Sequence, residues 1–553
     1  MPGSFQDRVS FVAIAALVFI AMARIADTYS VFNQTWDEAV HIAAGLQWLE
    51  QGTYTYDPVH PPLARIAAAV GPFLDGIRSF GKENVWKEGN EVLHARGTYF
   101  RNLTLARLGI LPFFIVATFL VWKFTKILFG NTAALLAVFF FTTAPPVLAH
   151  AGVATTDFAL AALFVAALLA LHVWLERPTF LRSLLLGLTM ALALLSKLSA
   201  IVFLPAGAVP MIILHGLEQR RAGNPSRLGI RRWLVSASVS TLVLFLVVWA
   251  GYRFSVAPLH DVIDIDGIRH DSAYIAAQIK VPAPELFKGI QTVAMMSQYG
   301  HLSYLLGENR RTGWWYFFPV TLAVKTPLPL LILACTGSVI TAFYAWRSGA
   351  WRALGPAVVA LALLLVVLPS RINLGIRYIL PMFPLLAIVA GFTATSLWKL
   401  RYKVPVGPLV VVVLLVWQTI SSARAHPDYL AYFNELAERH PEKILVKDDL
   451  DWGQDLQRLV KVLRDLGVEE VAIRLSGSAD LRRHGLPRWR LLLPEQRTSG
   501  WVAISLQWLK QGMWVPPYDQ YAWLEAYEPV ALVGRSIRLY YIPPDPDTSS
   551  SPP

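Results

Sequence analysis

The sequence predicts a polytopic α-helical membrane protein that carries a small α/β domain at its C-terminal end. Of the 553 residues, 55% are hydrophobic and only 16% are charged, which is too apolar for soluble domains of this size. The apolar residues are gathered in runs of about 20, the length that crosses a bilayer as a helix. After Arg424 these runs give way to short alternating segments, a pattern typical of strands in a half-buried sheet.

The apolar runs predict about eleven membrane-spanning helices. The first run has no small-residue cleavage site, so we expect a retained span and not a signal peptide. The stretch from Leu184 to Leu214 is too long for one span, and we divide it at Lys197. The predicted spans are Val9–Ala26, Leu103–Trp122, Thr132–Leu148, Phe158–Leu175, Leu184–Leu195, Leu198–Leu214, Leu234–Tyr252, Phe317–Phe343, Ala353–Leu368, Ile376–Leu397 and Val406–Ile420.

Basic residues predict the orientation of these spans. With a turn at Lys197, every short loop rich in Lys or Arg falls on one side, which the positive-inside rule assigns to the cytoplasm. The N-terminus is then cytoplasmic, and an odd number of spans places the C-terminal domain outside. The basic loops contain Lys123 and Lys126, Arg177 and Arg182, Arg220, Arg221, Arg227, Arg231 and Arg232, Arg347 and Arg352, and Lys399, Arg401 and Lys403.

The predicted organisation is a transmembrane domain over residues 1–423 and an outer domain over 424–553. The transmembrane domain has two long outer segments, at 27–102 and 253–313. In the outer domain, we predict strands at Ile444–Val446, Val471–Arg474, Trp501–Leu506 and Val530–Tyr541, a helix from Asp455 to Leu466, and a disordered end over Pro543–Pro553.

Charge and cysteine content exclude some classes of function. The net charge of +12 does not indicate nucleic-acid binding, because Lys and Arg lie in short clusters between apolar runs, without a recognition module. Such clusters face anionic membrane lipids instead. The single cysteine, Cys335, excludes an intramolecular disulfide and a metal site built from thiolates.

Two adjacent carboxylates, Asp37 and Glu38, follow the first span. In an apolar outer segment they could act as a general base or bind a cation. On spacing alone, capping of the helix that follows is the more ordinary explanation. His60 and Arg65 lie in the same outer segment and are candidate substrate contacts.

Asp157 and Lys197 lie at predicted outer ends of spans. Asp157 opens the fourth span, where a carboxylate commonly caps the helix. Lys197 lies between two apolar stretches, where it could bind a phosphate or extend its amine to the membrane surface. Neither residue decides a function alone.

Arg377 and Tyr378 enter the tenth span. A cation at a helix N-terminus opposes the helix dipole, and an anion beside both would remove the conflict, as in phosphate sites. Lys325, predicted to lie within the eighth span, poses a similar problem. The orientation, derived without the carboxylates or Arg377, places most of these charged groups on the outer face. This convergence indicates a site there.

At these residues the chain resembles the GT-C superfamily of membrane glycosyltransferases, in the branch of the protein O-mannosyltransferases and the lipid A aminoarabinose transferase. The resemblance covers nearly the whole chain. It rests on Asp37-Glu38, His60-Pro61-Pro62-Leu63, the Asp157 turn, the Lys197 turn and Arg377-Tyr378-Ile379-Leu380-Pro381. Gly313-Trp314-Trp315-Tyr316, Tyr432-Phe433-Asn434-Glu435-Leu436 and Leu450-Asp451-Trp452-Gly453-Gln454-Asp455-Leu456 resemble a bacterial family-39-type subgroup that uses phospholipid-linked sugars.

The resemblance implies an inverting sugar transferase with a polyprenyl-phosphate sugar as donor. Asp37 takes the place of the family's catalytic carboxylate and is expected to be the general base. The donor phosphate is expected to bind Lys197 and Arg377. Lys325 is a weaker candidate for the same role. Asp157 and Glu38 would orient the reacting groups, and His60, Arg65 and Tyr378 would line the substrate cavity.

The sequence leaves three questions open: whether a metal is bound, which acceptor is used, and whether the protein belongs to another functional class. Some relatives contain a divalent cation, for which Glu38, His60 and Asp157 are candidate ligands, although their spacing is not a metal signature. The acceptor could be an envelope glycan, a lipid or a protein. A multi-span transporter of a lipid-linked or anionic substrate is the alternative, but it predicts charges at mid-membrane and internal repeats.

Overall fold

The computed structural model describes residues 5–223, 230–258, 279–400, 405–513 and 515–544. Part of the predicted outer segment 253–313, the basic residues Arg227, Arg401 and Lys403, and most of the predicted disordered end lie outside the described residues.

Helices form most of the described structure. Apolar side chains at helical spacing, with prolines at many of the first turns, account for their placement. The helices up to the second long outer segment are Phe5–Asp27, Glu38–Gln51, Pro62–Leu74, Val85–His94, Tyr99–Leu108, Leu111–Phe129, Asn131–Thr142, Pro145–Ala151, Asp157–Glu176, Phe180–Ser196, Ala200–Arg221 and Ile230–Gly251. They are followed by Pro284–Tyr299, Phe317–Lys325, Leu328–Ser348, Gly355–Val367, Met382–Trp398, Val406–Arg424, Leu456–Asp465 and Leu506–Gln511.

Within the described residues, seven helices are long and apolar enough to cross a membrane. A bent pair, Asn131–Thr142 with Pro145–Ala151, makes up to eight. Shorter apolar helices include Phe180–Ser196, Trp351–Val367 and Met382–Trp398. Each of the eleven predicted spans therefore coincides with a helix or a helix pair, which confirms the polytopic helical membrane fold.

Prolines interrupt the third and the eighth predicted spans. The third bends by 66° where Ala144 precedes Pro145-Pro146, because proline removes a backbone donor and restricts the residue before it. The eighth is broken before Pro327, where Thr326 is extended, so that Phe317–Lys325 and Leu328–Ser348 are separate helices. Lys325 thus ends a short helix and does not lie within a span, contrary to the prediction.

The predicted turn at Lys197 is confirmed. The preceding helix ends at Ser196, the next begins at Ala200, and Lys197 itself is extended. Two helices therefore replace the single long apolar stretch, as the distribution of basic residues required.

The first outer segment is helical and tightly packed. Helix Pro62–Leu74 is an additional apolar helix in this segment, and it lies against Glu38–Gln51. A Cβ atom on Gly45 would come within 2.1 Å of the Arg65 carbonyl oxygen. Only glycine permits this contact between backbones, which fixes the helix that follows Asp37.

The C-terminal sheet has five strands in the order Arg488–Leu491, Glu470–Arg474, Gly500–Ser505, Ile537–Ile542 and Ala531–Val533. The first three are parallel, with Val471 opposite both Trp489 and Trp501. The fourth strand pairs antiparallel with the third, with Val502 opposite Tyr540, and with the fifth, with Leu532 opposite Arg538. Helix Leu456–Asp465 packs its apolar side on the sheet through Leu459 and Leu463.

The predicted elements of this region are confirmed in part. The helix and the strands near 471 and 501 are present, and the predicted stretch Val530–Tyr541 is two strands joined by a turn. Ile444–Val446 is not a strand. Leu445 and Val446 are buried in an irregular segment, and this burial accounts for their apolar character. The strand Arg488–Leu491 was not predicted; it lies at the edge of the sheet, and three of its four residues are exposed.

An irregular segment of the chain, residues 447–456, joins the sheet to the first outer segment. The Trp36 amide donates to the Trp452 carbonyl at 3.0 Å, and the Asn33 side chain donates to the Gly453 carbonyl at 2.8 Å. The Leu456 amide in turn donates to Asn33 at 2.8 Å. The residues beside Asp37 are therefore held by the C-terminal part of the chain.

Candidate active site

A cavity of about 400 Å³ lies between the first outer segment, the membrane helices and the 447–456 segment. Its charged end is lined by Asp37, Lys197, Arg377, Lys447 and Asp448. Its other walls are largely apolar and include Val202 and Phe203 of helix Ala200–Arg221 and Val366 and Val367 of helix Gly355–Val367. The cavity thus offers charged groups at one end and a hydrocarbon-like surface beside them.

Arg377 is the centre of the charged end. One of its nitrogens, Nη1, lies 2.7 Å from Asp37 Oδ2 and 3.8 Å from Asp157 Oδ2. The other, Nη2, lies 3.0 Å from Asp448 Oδ2. A short 3-10 turn, Ile376–Ile379, presents this guanidinium after the positive φ of Gly375. The predicted site residues Asp37, Asp157 and Arg377 are therefore brought together.

Asp37 is the most accessible of the three carboxylates around Arg377. Its side chain is 22% exposed, against 2% for Asp157 and 5% for Asp448. It stands at the N-cap position of Glu38–Gln51 but makes no capping hydrogen bond. Helix capping therefore does not explain this carboxylate, and its accessible position suits proton transfer to or from a ligand.

Lys197 and Asp157 form a buried ion pair beside Arg377. The Lys197 amine donates to Asp157 Oδ1, and it lies 4.2 Å from the centre of the Tyr378 ring. Asp157 begins its helix without a capping bond. Because Lys197 is only 6% exposed, its amine is held in the protein and does not extend to the membrane surface.

His60 lines the same cavity in a neutral form. Burial, together with His41 and three nearby cations, holds the pKa of His60 well below its usual range. Thr156 Oγ1 lies 3.3 Å from His60 Nδ1, and the Tyr54 hydroxyl donates to the His60 carbonyl. His60 therefore presents a neutral polar side chain to the cavity, beside Thr156 and the turn that carries Asp157.

Lys447, Asp448, His301, Gln507 and Trp452 line the cavity but were not predicted. Burial raises the pKa of Asp448, while Arg377 and Lys447 act in the opposite direction. Burial lowers the pKa of Lys447 to about 8. The available signal was the acidic run Asp448-Asp449 and Asp451 in the tail, since buried carboxylates need nearby cations.

Glu38 is separate from the cavity, although it follows Asp37 in the chain. Its carboxylate accepts from Arg107 at 2.8 and 2.9 Å, from the Thr35 amide at 2.7 Å and from the Ala154 amide at 2.8 Å. Glu38 and Arg107 are both buried. This set of bonds occupies both carboxylate oxygens, so the expected roles of Glu38 in catalysis or metal binding do not fit its position.

Arg65 and Lys325 are also outside the cavity lining. Arg65 donates to His41 Nδ1 and to the Tyr54 hydroxyl, both at 3.0 Å, and pairs with Asp57. Lys325 donates to the carbonyls of Leu430 and Asp449 at 2.8 and 2.6 Å. Lys325 therefore anchors the C-terminal part of the chain to the helices, and neither residue is placed to contact a donor phosphate.

The carboxylates of the cavity can be compared with the requirements of a metal site. Among the described residues, no group of three His, Cys, Asp or Glu side chains is arranged to hold a metal ion. The three carboxylates of the cavity converge on Arg377, and Asp157 also pairs with Lys197. The carboxylates of the cavity are therefore paired with protein cations, and the expected ligand Glu38 lies outside the cavity, paired with Arg107.

Residues 101–250 match the model of a protein family described as dolichyl-phosphate-mannose-protein mannosyltransferase. No curated protein matches the chain significantly in sequence. The chain is similar in structure to ArnT from Cupriavidus metallidurans in the apo state, with a TM-score of 0.48 and 14% identity over 95% of this chain and 97% of that one. The same protein bound to undecaprenyl phosphate gives a TM-score of 0.45 at 14% identity and the same coverage.

The archaeal oligosaccharyltransferase AglB from Archaeoglobus fulgidus, in complex with an inhibitory peptide and a dolichol-phosphate, gives a TM-score of 0.48 and 12% identity over 76% of this chain. The chain spans 56% of the length of that protein. The match of residues 101–250 to the mannosyltransferase family model confirms the resemblance to membrane glycosyltransferases that was drawn from the sequence.

Proposed function

We propose that this protein transfers a sugar from a polyprenyl-phosphate donor to an acceptor on the outer face of the plasma membrane, with inversion at the anomeric carbon. The observation that carries the proposal is the cavity itself. It places an accessible carboxylate, Asp37, and two cations, Lys197 and Arg377, at the end of an apolar passage between membrane helices.

A lipid phosphate matches both parts of this cavity. The apolar wall formed by Val202, Phe203, Val366 and Val367 suits an isoprenoid chain, which gains free energy by leaving water. The phosphate would lie at Lys197 and Arg377. Arg377 Nε is buried and has no hydrogen-bond partner among the described residues, so a phosphate oxygen would satisfy it.

The chemistry needs one base and a stabilised leaving group. Asp37 takes the proton of the acceptor nucleophile as its oxygen or nitrogen forms a bond to the anomeric carbon. The bond from that carbon to the phosphate oxygen breaks, and the electron pair leaves with the polyprenyl phosphate. Lys197 and Arg377 stabilise the charge that develops there, so no second carboxylic acid is needed to protonate the leaving oxygen.

The ion pairs around Arg377 indicate how donor and base interact. In the structure Arg377 is shared by Asp37 and Asp448, and its charge is balanced. A bound phosphate would accept hydrogen bonds from this guanidinium and weaken the ion pair between Arg377 and Asp37. The carboxylate would then be available to accept a proton when the donor is in place.

The test is donor binding and slow donor hydrolysis by the purified protein in lipid, with a panel of radiolabelled polyprenyl-phosphate sugars. We expect the wild type to consume one of them. Asp37→Asn should bind that donor but lose at least 100-fold in turnover, as for removal of a general base. Arg377→Ala should lose binding.

Two results would count against the proposal. If the wild type neither binds nor consumes any lipid-linked sugar, the donor class is wrong. If Asp37→Asn turns over at the wild-type rate, the donor class stands and the assignment of the base is wrong.

A further inference from the structure

The outer end of the cavity continues into a narrow seam between the first outer segment and the C-terminal sheet. A second, small pocket lies there, lined by Trp36, Lys447, Gln507, Trp508 and Gln511 among others. Trp36, Lys447 and Gln507 line both this pocket and the large cavity. The seam therefore leads from the position beside Asp37 toward the C-terminal sheet, whereas the apolar passage leads into the membrane helices.

Gln511 supplies an unused hydrogen-bond donor in this seam. Its side chain is 3% exposed, and Nε2 has no hydrogen-bond partner among the described residues. Leaving a buried amide nitrogen unpaired costs about 1–3 kcal/mol, which is a large fraction of the stability of a protein. Such a group therefore calls for an explanation. A ligand oxygen in the small pocket would satisfy it.

The size of the small pocket limits which group can enter. Its volume is about 20 Å³, which is enough for one water-sized group. A single hydroxyl group fits, and the rest of a ligand must lie in the adjoining large cavity. The Ser476 hydroxyl and the Gln507 amide lie on the same lining and both can donate or accept a hydrogen bond, as a hydroxyl ligand requires.

Aromatic rings flank these amides. Trp36 and Trp508 are both half-buried on the lining. The Arg474 guanidinium lies 3.8 Å from the centre of the Trp508 ring and fixes its orientation. Indole side chains beside amides that donate and accept hydrogen bonds match a molecule with both C–H groups and several hydroxyl groups, which is a sugar ring.

We propose that the seam between Trp36 and Gln511 is the acceptor subsite and that its ligand is a polyhydroxylated acceptor, a glycan. The inference rests on the proposed function and names the class of acceptor for the same site. One hydroxyl of the acceptor sugar is held by Gln511, and the ring lies toward Trp36 and Gln507. Another hydroxyl then faces Asp37, loses its proton to that carboxylate and displaces the lipid phosphate from the anomeric carbon, so that a glycosidic bond forms.

The test uses the full-length protein in lipid with the donor that the wild type hydrolyses slowly in water. Three kinds of acceptor probe are added separately: a set of methyl glycosides and disaccharides, a peptide rich in Ser and Thr, and vesicles containing phosphatidylglycerol. We expect at least one sugar probe to increase donor consumption and to yield a glycosylated product. An increase produced only by the peptide or only by the vesicles would overturn the inference.

Gln511→Leu tests the subsite itself, with Gln496→Leu as the matched control because Gln496 is exposed. We expect Gln511→Leu to raise the half-saturating concentration of the sugar probe at least 10-fold and to leave hydrolysis of the donor in water unchanged. Because it replaces an unpaired buried amide by an apolar group, it should not lower thermal stability. If Gln511 had only a structural role, Gln511→Leu would lower thermal stability and leave the half-saturating concentration of the sugar probe unchanged.

Failure of this inference is distinguishable from failure of the proposed function. Donor hydrolysis in water depends on the donor site alone, so its absence contradicts the transferase proposal. Normal donor hydrolysis with no response to any sugar probe, or an unchanged response in Gln511→Leu, contradicts only the acceptor subsite.

Discussion

Asp37 and Glu38 are neighbours in the chain but have opposite surroundings. Asp37 faces the cavity and shares Arg377 with two other carboxylates, whereas Glu38 points into the protein and pairs with Arg107. The reason is the turn of the chain at the start of helix Glu38–Gln51, which directs successive side chains to different sides. One residue can therefore react while the other holds the loop in place.

Substitution of the two acids should separate these roles. Glu38→Gln leaves Arg107 buried without its counter-charge, which costs about 3–5 kcal/mol. We expect a clearly lower thermal midpoint for this variant in detergent. Asp37→Asn should keep a midpoint close to the wild-type value, because its side chain is partly exposed. Equal midpoints for both variants would contradict the anchoring role of Glu38.

At the scale of elements, the site depends on helices that touch through their backbones and on a buried carboxylate next to the sheet. Gly45 lets Glu38–Gln51 approach Pro62–Leu74, and Asp455 precedes helix Leu456–Asp465. The Asp455 carboxylate accepts from the Ser536 hydroxyl at 2.8 Å and pairs with Arg458 at 3.2 Å. Gly45 thus fixes the helix that follows Asp37, and Asp455 ties the end of the 447–456 segment to Ser536 of the sheet region.

Gly45→Ala should destabilise the first outer segment. The added methyl group would meet the Arg65 carbonyl oxygen, so the two helices must separate at a cost of about 1–3 kcal/mol. Gly216→Ala is the control, since a Cβ there meets nothing within 4 Å and alanine favours the helix. A lower thermal midpoint is expected only for Gly45→Ala. If both variants melted at the wild-type temperature, the backbone contact at Gly45 would carry no stability.

Asp455 should make stability depend on pH. Burial raises the pKa of Asp455 from 3.8 to about 6, against the effect of Arg458. Between pH 3.8 and about 6, the folded protein therefore retains a proton on Asp455 that the unfolded chain has lost. The stability contributed by protonated Asp455 is fully present below pH 3.8 and is lost as the pH rises through about 6. We expect Asp455→Asn, which stays neutral, to gain about 3 kcal/mol relative to the wild type between these limits.

The measurement is the thermal midpoint of Asp455→Asn and of the wild type at several pH values from about 3.5 to about 7, a range that includes both the ordinary pKa of 3.8 and the raised pKa of about 6. Asp465→Asn, at the other end of the same helix and exposed, serves as the control. A difference between Asp455→Asn and wild type that does not change with pH would show that the raised pKa is wrong.

At the scale of the whole molecule, the cavity is complete only when both ends of the chain meet. Arg24 in the first helix donates to the Tyr429 hydroxyl at 2.9 Å and to the Ser422 hydroxyl at 3.0 Å. Lys325 holds the Leu430 and Asp449 carbonyls. These contacts bring residues 447–456 over the charged end, and the proposed orientation places this whole assembly on the outer face.

The orientation can be tested with single cysteines. In a Cys335→Ser background, Ser499→Cys should react with a membrane-impermeant maleimide in intact spheroplasts, because residue 499 belongs to the proposed outer domain. Ser348→Cys, near the basic residues Arg347 and Arg352, should react only after permeabilisation. Both positions are exposed in the structure. Reaction of Ser348→Cys alone in intact spheroplasts would reverse the orientation.

The helical membrane class, the eleven apolar segments and the turn at Lys197 follow from the sequence alone, whereas the apolar helix Pro62–Leu74 was not predicted. The predicted features are local, since hydropathy and turn residues act over one or two helical turns. The charge asymmetry of the loops further predicts that Asp37, Asp157, Lys197 and Arg377 lie on one face of the membrane. Which charges face the cavity depends on tertiary contacts. Arg377 meets Asp37 across 340 positions of the chain and Asp448 across 71, while Glu38 and Lys325 turn away to buried partners. A buried charge must find a counter-charge or a hydrogen bond, and which one it finds depends on contacts that sequence spacing does not contain.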